Sequence, residues 1–178
     1  IGLSEAGPET IRKAHATHSF VCIETEYLIW SRDVEEVILP LCRESGTSLM
    51  PDAPLGRGFL SGTIRSAVDL TEGDTRRMMP RFGGDNFDIY LAKVQGREDL
   101  AFGTGFKAEQ VALPWLLHQD EAIIPIPGTK QIKYLNENPR AVDIDLTSGD
   151  LQKLDTLFAA GTTAGSRYPE NLMKQLGI

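Results

Sequence analysis

Short apolar runs alternate with helical patterns along most of the chain. Runs that predict buried strands lie at residues 1–4, 20–27, 47–51 and 123–127. Helical spacing of apolar residues predicts a helix that opens at Pro8, a short one after residue 130, and longer ones over residues 34–44, 87–102, 108–118 and 148–158. Such alternation is typical of βα units on a parallel sheet.

Local signals place some element boundaries. Pro40 is expected to shift the start of the second helix or to kink it. Thr147 and Asp150 form a capping-box pattern at the start of the last long helix. Residues 63–86 show little periodicity and are interpreted as a long surface excursion, either a lid or disordered. The tail after residue 158 is predicted to be irregular apart from a short helix near 171–176.

Polar sequence follows every predicted strand. The carboxyl ends of parallel strands meet on one rim, which is where α/β folds place their sites. We therefore expect Ser4 and residues 24–27, 52–62 and 128–133 to face one pocket.

Composition narrows the class of protein. With 178 residues and 41% hydrophobic content, the chain is predicted to form one domain, residues 1–178. A net charge of −7 without a basic block argues against nucleic-acid binding, and no apolar run or leader pattern indicates a membrane protein or an exported one, so the cytoplasm is the expected compartment. Cys22 and Cys42 are interpreted as reduced core thiols, and no metal site is predicted.

Two stretches are candidates for binding anions. The first, here called the glycine loop (residues 53–62), has three glycines that let the backbone approach a ligand, and Arg57 could pair with a phosphate or stack on a ring. The second, the lysine segment (residues 123–138), predicts a strand, a Pro-Gly turn and a helix start carrying Thr129, Lys130 and Lys133.

Each stretch also has a simpler interpretation. The glycine loop can be a turn, Thr129 can be only an N-cap, and the lysines can be a solvated face. Together, two anion-binding stretches favour an elongated, multiply charged ligand such as a dinucleotide.

The motifs in these stretches resemble those of a known family. APLGRGFLSG in the glycine loop and IPIPGTKQIKYLNEN in the lysine segment are similar to the last two cofactor-binding loops of the aldo-keto reductases, which are NADPH-dependent (β/α)8-barrel enzymes. IGLSE, EYLIWSRD, RFGGDNF and LTSGDLQKLDTLF extend the resemblance over essentially all 178 residues. It implies an α/β fold: the carboxyl-terminal half of a TIM barrel, with four βα units and an added carboxyl-terminal helix.

The resemblance also implies NADPH as cofactor and a role for individual residues. Ser4 would face the nicotinamide carboxamide, and Glu137 and Asn138 would reach the adenine. The backbone of Leu55, Gly56, Arg57 and Gly58 would wrap the pyrophosphate and ribose, and Gly128, Thr129 and Lys130 would hold the 2′-phosphate of the adenosine.

Four positions depart from the family pattern. Glu24 stands where glutamine is usual, Asp52 replaces an aromatic residue that stacks on the nicotinamide, Ala53 replaces serine, and Gln131 replaces arginine. An unpaired buried carboxylate is costly and would alter the field around the nicotinamide. We therefore expect weaker cofactor binding than is usual in the family.

The family's catalytic aspartate, tyrosine, lysine and histidine lie in the first half of its barrel, so no catalytic residue is assigned here. The resemblance implies reduction of small aldehydes or ketones once the chain is joined to an amino-terminal half-barrel. That half, or a second copy of the chain, is expected to cover the open sheet, and the isolated chain is expected to be inactive. A non-catalytic half-barrel that binds a dinucleotide or serves in assembly is the alternative, and a phosphate-binding barrel of another chemistry is a third.

Overall fold

A computed structural model of the chain describes residues 1–104, 110–174 and 176, with the backbone alone for 97–104. The strands of the described part are β1 (Gly2–Ser4), β2 (Cys22–Glu26) and β3 (Ser48–Asp52). Its helices are α1 (Pro8–Thr17), α2 (Ile38–Ser45), α3 (Gly84–Thr104), α4 (Ala112–Leu117), α5 (Ile132–Glu137), α6 (Ser148–Leu157) and α7 (Glu170–Met173).

The sheet is parallel, in the order β1-β2-β3. Ser4 pairs with Glu24, and Glu24 pairs in turn with Met50. Helices α1 and α2 are the crossovers between successive strands. The predicted βα alternation is confirmed for this part of the chain.

The predicted fourth strand is only partly formed. Residues 122–126 run beside β3, where Leu49 N–H donates to the Ala122 carbonyl (3.0 Å) and Ile124 N–H donates to the Leu49 carbonyl (2.9 Å). The next donor of β3 in that register is Pro51, which has no N–H. A single bridge, Leu49 to Ile123, therefore stands where a regular strand was expected.

Helix boundaries follow local chemistry. Helix α2 begins at Ile38 rather than near residue 34, which leaves Pro40 in its first turn, where no helical N–H is needed. The capping box of α6 is confirmed, because Asp150 N–H donates to the Thr147 hydroxyl (3.2 Å) and Thr147 N–H donates to the Asp150 carboxylate (3.2 Å).

Other predicted boundaries shift by a few residues. Helix α3 starts at Gly84 instead of residue 87. The helix predicted over 108–118 is seen as α4, and residues 108 and 109 of that prediction lie outside the described ranges. The short helix expected in the tail near 171–176 is seen as α7, and its residue 175 also lies outside those ranges. Residues 63–86 are neither a single loop nor featureless, since they contain 3-10 turns at Ala67–Asp69, Thr75–Met78 and Pro80–Phe82.

An aromatic cluster joins the loops after β2 and β3 to the helices. The Trp30 ring centroid lies 4.6 Å from that of Tyr90 in α3, 5.9 Å from that of Phe59 and 6.3 Å from that of Phe158. All four side chains are buried, so the glycine loop, which contains Phe59, is fixed against the core. In the described part of the chain, no helix combines the length and apolar character that a membrane span requires.

Candidate dinucleotide site

A cavity of about 640 Å³ lies between the glycine loop and the lysine segment. This volume is typical of sites for small molecules, which occupy about 300–1,000 Å³. Most of the candidate cofactor residues line it: Asp52, Ala53, Leu55, Arg57, Gly58, Gly128, Thr129, Lys130, Gln131, Glu137 and Asn138.

Two of the four predicted loops do not reach this cavity. Ser4 and Glu24 are adjacent in the sheet, but neither lines it. The lysine segment lies beside β3, whereas β2 and β1 lie on the other side of β3. This cavity therefore joins two of the four loops, and a ligand shared with Ser4 and Glu24 stays a prediction.

The glycine loop adopts a left-handed backbone that only some residues accept. Gly56, Arg57 and Gly58 have φ values of 59°, 54° and 100°. A Cβ at Gly56 would lie 2.5 Å from Cζ2 of Trp30, so the loop can lie against the indole only with glycine at this position. The N–H groups of Gly56 and Gly58 donate to the Ala53 and Leu55 carbonyls (2.8 and 3.2 Å), which means that they are not free for a ligand in this conformation.

The Arg57 guanidinium is engaged by protein groups. It donates to the Tyr168 hydroxyl (2.8 Å) and to Glu26 (3.3 Å), and it lies 3.5 Å from Asp52. The stacking expected for a ligand ring is made by Tyr168, whose ring centroid lies 5.4 Å from the guanidinium carbon. Asp52 is accordingly paired and 38% exposed, so the cost of an unpaired buried carboxylate does not arise there. Glu24 is only half-buried.

Glu26 carries a buried charge that no motif in the sequence marks. Its side chain is 3% exposed; Arg81 donates to it at 2.6 Å, the Ser31 hydroxyl at 2.7 Å, and Arg167 lies at 3.7 Å. Burial alone would raise the pKa of Glu26, but the neighbouring arginines and the Ser31 hydroxyl hold this pKa below its ordinary value. No local signal could reveal this cluster, because Arg81 and Arg167 are far from Glu26 along the chain.

The opposite wall of the cavity is basic. Lys130, Lys133 and Arg140 all line it, all are exposed, and none forms an ion pair with a carboxylate among residues 1–96, 110–174 and 176. Arg140 was not among the candidate residues. The Lys133 ammonium lies over the Tyr134 ring, 5.4 Å from the ring centroid.

Helix α5, in the lysine segment, is too short to bind an anion through its N-terminus. Helix α5 has six residues, and its N-cap, Gln131, makes no side-chain cap bond. Thr129 is not the N-cap, but its hydroxyl accepts a hydrogen bond from Gln131 N–H (3.0 Å). So short a helix has little dipole, which leaves the positive side chains as the source of any attraction for phosphate.

Comparison with known proteins decides the family. The sequence model of the Aldo/keto reductase family matches residues 1–159. The chain belongs to this family. A probable aldo-keto reductase 1 of Glycine max is 40% identical over 173 residues, which are 97% of this chain and 49% of the soybean protein.

Solved aldo-keto reductases share the fold. A glycerol dehydrogenase of Gluconobacter oxydans superposes with a TM-score of 0.81 at 24% identity, covering 89% of this chain and 48% of its own. An aldo-keto reductase of Klebsiella pneumoniae, solved with NADPH, has a TM-score of 0.63 at 20% identity. The match covers 94% of this chain and 50% of the Klebsiella protein. The chain thus spans about half the length of these relatives, and its open parallel sheet confirms the predicted half of a TIM barrel.

Proposed function

We propose that this chain provides the dinucleotide-binding half of an aldo-keto reductase that reduces aldehydes or ketones with NADPH. The observation that carries the proposal is the cavity, in which the glycine loop meets the lysine segment although 60 residues, 63–122, separate them. A phosphate-bearing ligand is favoured there, since three cations without carboxylate partners in the described ranges line one wall.

Different candidate residues are proposed to bind different parts of the dinucleotide. Gly128, Thr129 and Lys130 are proposed to hold the 2′-phosphate, and Glu137 and Asn138 to bind the adenine. The residues from Leu55 to Gly58 would lie along the pyrophosphate; with both glycine N–H groups bonded internally, the glycines contribute close approach rather than hydrogen bonds. Ser4 and Glu24, on the strands beyond β3, are proposed to lie at the nicotinamide end.

The chemistry requires groups that we do not assign to this chain. When bound, NADPH supplies the hydride that reduces a carbonyl carbon. None of the residues in the cavity is proposed as the proton donor; we place that donor in an amino-terminal half-barrel, or in a partner that covers the open sheet. By itself the chain is proposed to bind the dinucleotide without turnover.

A non-catalytic role remains the second candidate. The same cavity, without an assigned proton donor, is what a half-barrel that binds a dinucleotide or assembles with another half-barrel would need. The two proposals differ in whether turnover appears when an amino-terminal half-barrel is added, for example that of the soybean relative.

Titration with NADPH, followed by its fluorescence, tests the binding step. We expect saturable binding that is weaker than micromolar, because Gln131 replaces the usual arginine; submicromolar affinity would contradict this expectation. Lys130→Gln should weaken binding about tenfold by removing a charge from the phosphate, whereas Lys153→Gln, on the exposed face of α6, should not change it. A folded chain that does not bind NADPH would refute the proposed function.

Oxidation of NADPH with a nitrobenzaldehyde tests the catalytic step. The isolated chain should give no turnover above the rate without protein. Turnover by the 178 residues alone would show that they contain a proton donor and that its assignment elsewhere is wrong.

A further inference from the structure

The cavity contains one cation more than the family motif supplies. Gln131 stands where arginine is usual in the family. Within the motif, Lys130 is therefore the residue whose positive charge is proposed to bind the 2′-phosphate. Arg140 lines the same cavity nine residues further along the chain. It lies outside the motif, so nothing in the resemblance assigns it a role.

The backbone that carries Arg140 is anchored while its side chain is exposed. The residue lies in the 3-10 helix Asn138–Asp143, which directly follows α5. Pro139 restricts the start of this turn, and Ala141, next to Arg140, is 8% exposed. The Ile144 N–H donates to the Ala141 carbonyl (3.3 Å) and closes the turn.

The Arg140 guanidinium is available for a ligand. Within the part of the chain that the structure describes, it forms no hydrogen bond or ion pair with another side chain. This contrasts with Arg57 on the facing wall, which is bound by Glu26 and Tyr168. Of the two arginines in the cavity, Arg140 is therefore the one whose charge is not already neutralised.

We propose that Arg140 binds the 2′-phosphate in place of the arginine missing at position 131, and that it thereby determines selectivity for NADPH over NADH. This inference rests on the proposed function. Its physical basis is that a guanidinium keeps its charge at all relevant pH values and offers a planar fork of donors that matches two phosphate oxygens, whereas Lys130 acts as a point charge.

A general electrostatic effect of Arg140 would have a different signature. NADPH and NADH share the pyrophosphate, and they differ only by the 2′-phosphate. A cation that merely makes the cavity more positive would strengthen NADH as well as NADPH, each in proportion to its negative charge. A direct contact with the 2′-phosphate strengthens NADPH alone, so a raised Kd for NADPH beside an unchanged Kd for NADH is the decisive result.

The experiment measures Kd for NADPH and for NADH with wild-type chain, Arg140→Gln, Arg140→Lys and the control Arg12→Gln, which removes the same charge from an exposed site on α1. Arg140→Gln should raise Kd for NADPH about tenfold and Kd for NADH less than about twofold. Arg140→Lys should fall between, since charge is kept but the fork is lost. Arg12→Gln should change neither.

A second variant tests whether the two positions serve the same phosphate. Restoring the family residue with Gln131→Arg should reduce the loss caused by Arg140→Gln, so the effects of the two substitutions should not add. Urea unfolding confirms that each variant is folded. Because Arg140 is exposed and has no side-chain partner in the described part of the chain, its replacement should not shift the midpoint by more than about 0.2 M.

The possible failures are distinguishable. If wild type binds both dinucleotides but Arg140→Gln also weakens NADH by more than about twofold, or weakens neither, the role of Arg140 is refuted and the proposed function stands. If the folded wild-type chain binds neither dinucleotide, both are refuted.

Discussion

Replacing Glu26 by glutamine removes the charge at the centre of the buried ion cluster while keeping the shape of the side chain. Glu26 is 3% exposed and is the closest carboxylate to Arg81, which is 11% exposed, at 2.6 Å. After the replacement, Arg57 keeps Asp52, and Arg167 keeps Glu5 and Asp33. Among its contacts in the described ranges, Arg81 then keeps no carboxylate and is left with two neutral acceptors, the amide oxygen of the new glutamine and the Gly165 carbonyl at 3.4 Å.

The expected loss follows from this difference. Removing one partner of a buried ion pair costs about 3–5 kcal/mol, because a buried charge is left without compensation. Two of the three arginines retain carboxylates, so we expect the low end, about 3 kcal/mol. With a urea m-value of about 2 kcal/mol per M, the unfolding midpoint of Glu26→Gln should fall by about 1.5 M.

The pH dependence gives a second test of the same reasoning. The pKa of Glu26 is lower in the folded chain than its ordinary value of 4.5. Between the pKa of the folded chain and that of the unfolded chain, the unfolded chain binds one proton more than the folded chain. The contribution of Glu26 to stability is therefore complete above pH 4.5 and is lost as pH falls below it. Glu26→Gln should therefore differ most from wild type near neutral pH and least in acid.

Equilibrium unfolding in urea, followed by tryptophan fluorescence, measures both effects. Glu9→Gln is the matched control, since Glu9 is 87% exposed and, within the described residues, pairs only with Lys13 at 3.6 Å. It should shift the free energy of unfolding by less than about 0.5 kcal/mol. If Glu26→Gln unfolds within the same 0.5 kcal/mol of wild type, the cluster does not stabilise the fold in the way described.

Two further predictions concern other buried contacts. Gly56→Ala should destabilise the chain by about 3 kcal/mol, because the new Cβ would lie 2.5 Å from Trp30 on a backbone with φ of 59°. The control is Gly149→Ala in α6, which should be neutral or stabilising because the nearest atom to the new Cβ is 3.8 Å away. Equal urea midpoints for the two variants would contradict this prediction. Burial raises the pKa of Tyr90 to about 12, so the neutral phenol stabilises the fold below its ordinary pKa of 10, and this contribution is lost as pH rises towards 12. Burial also raises the pKa values of Tyr27 and Tyr168, so absorbance at alkaline pH should show late tyrosine ionisation that is reduced and not abolished in Tyr90→Phe. An unchanged profile in that variant would disprove the assignment.

The sequence by itself determined the parts that depend on neighbouring residues. Helix α6 begins at Ser148 because its cap, Thr147, lies three residues before Asp150. The motifs in the glycine loop and the lysine segment identified the family for the same reason, since each is a short run with its own chemistry.

Only the tertiary structure decided which distant groups meet. Pro51 limits the pairing of residues 122–126 with β3, although neither stretch alone shows it. Arg57, a free cation by sequence, is bound by Glu26 and Tyr168, while Arg140, which the motif does not include, lines the cavity unpaired within the described ranges. Charge pairing acts through space over a few ångströms, so the folded chain and not the order of its residues determines which arginine is left for a ligand.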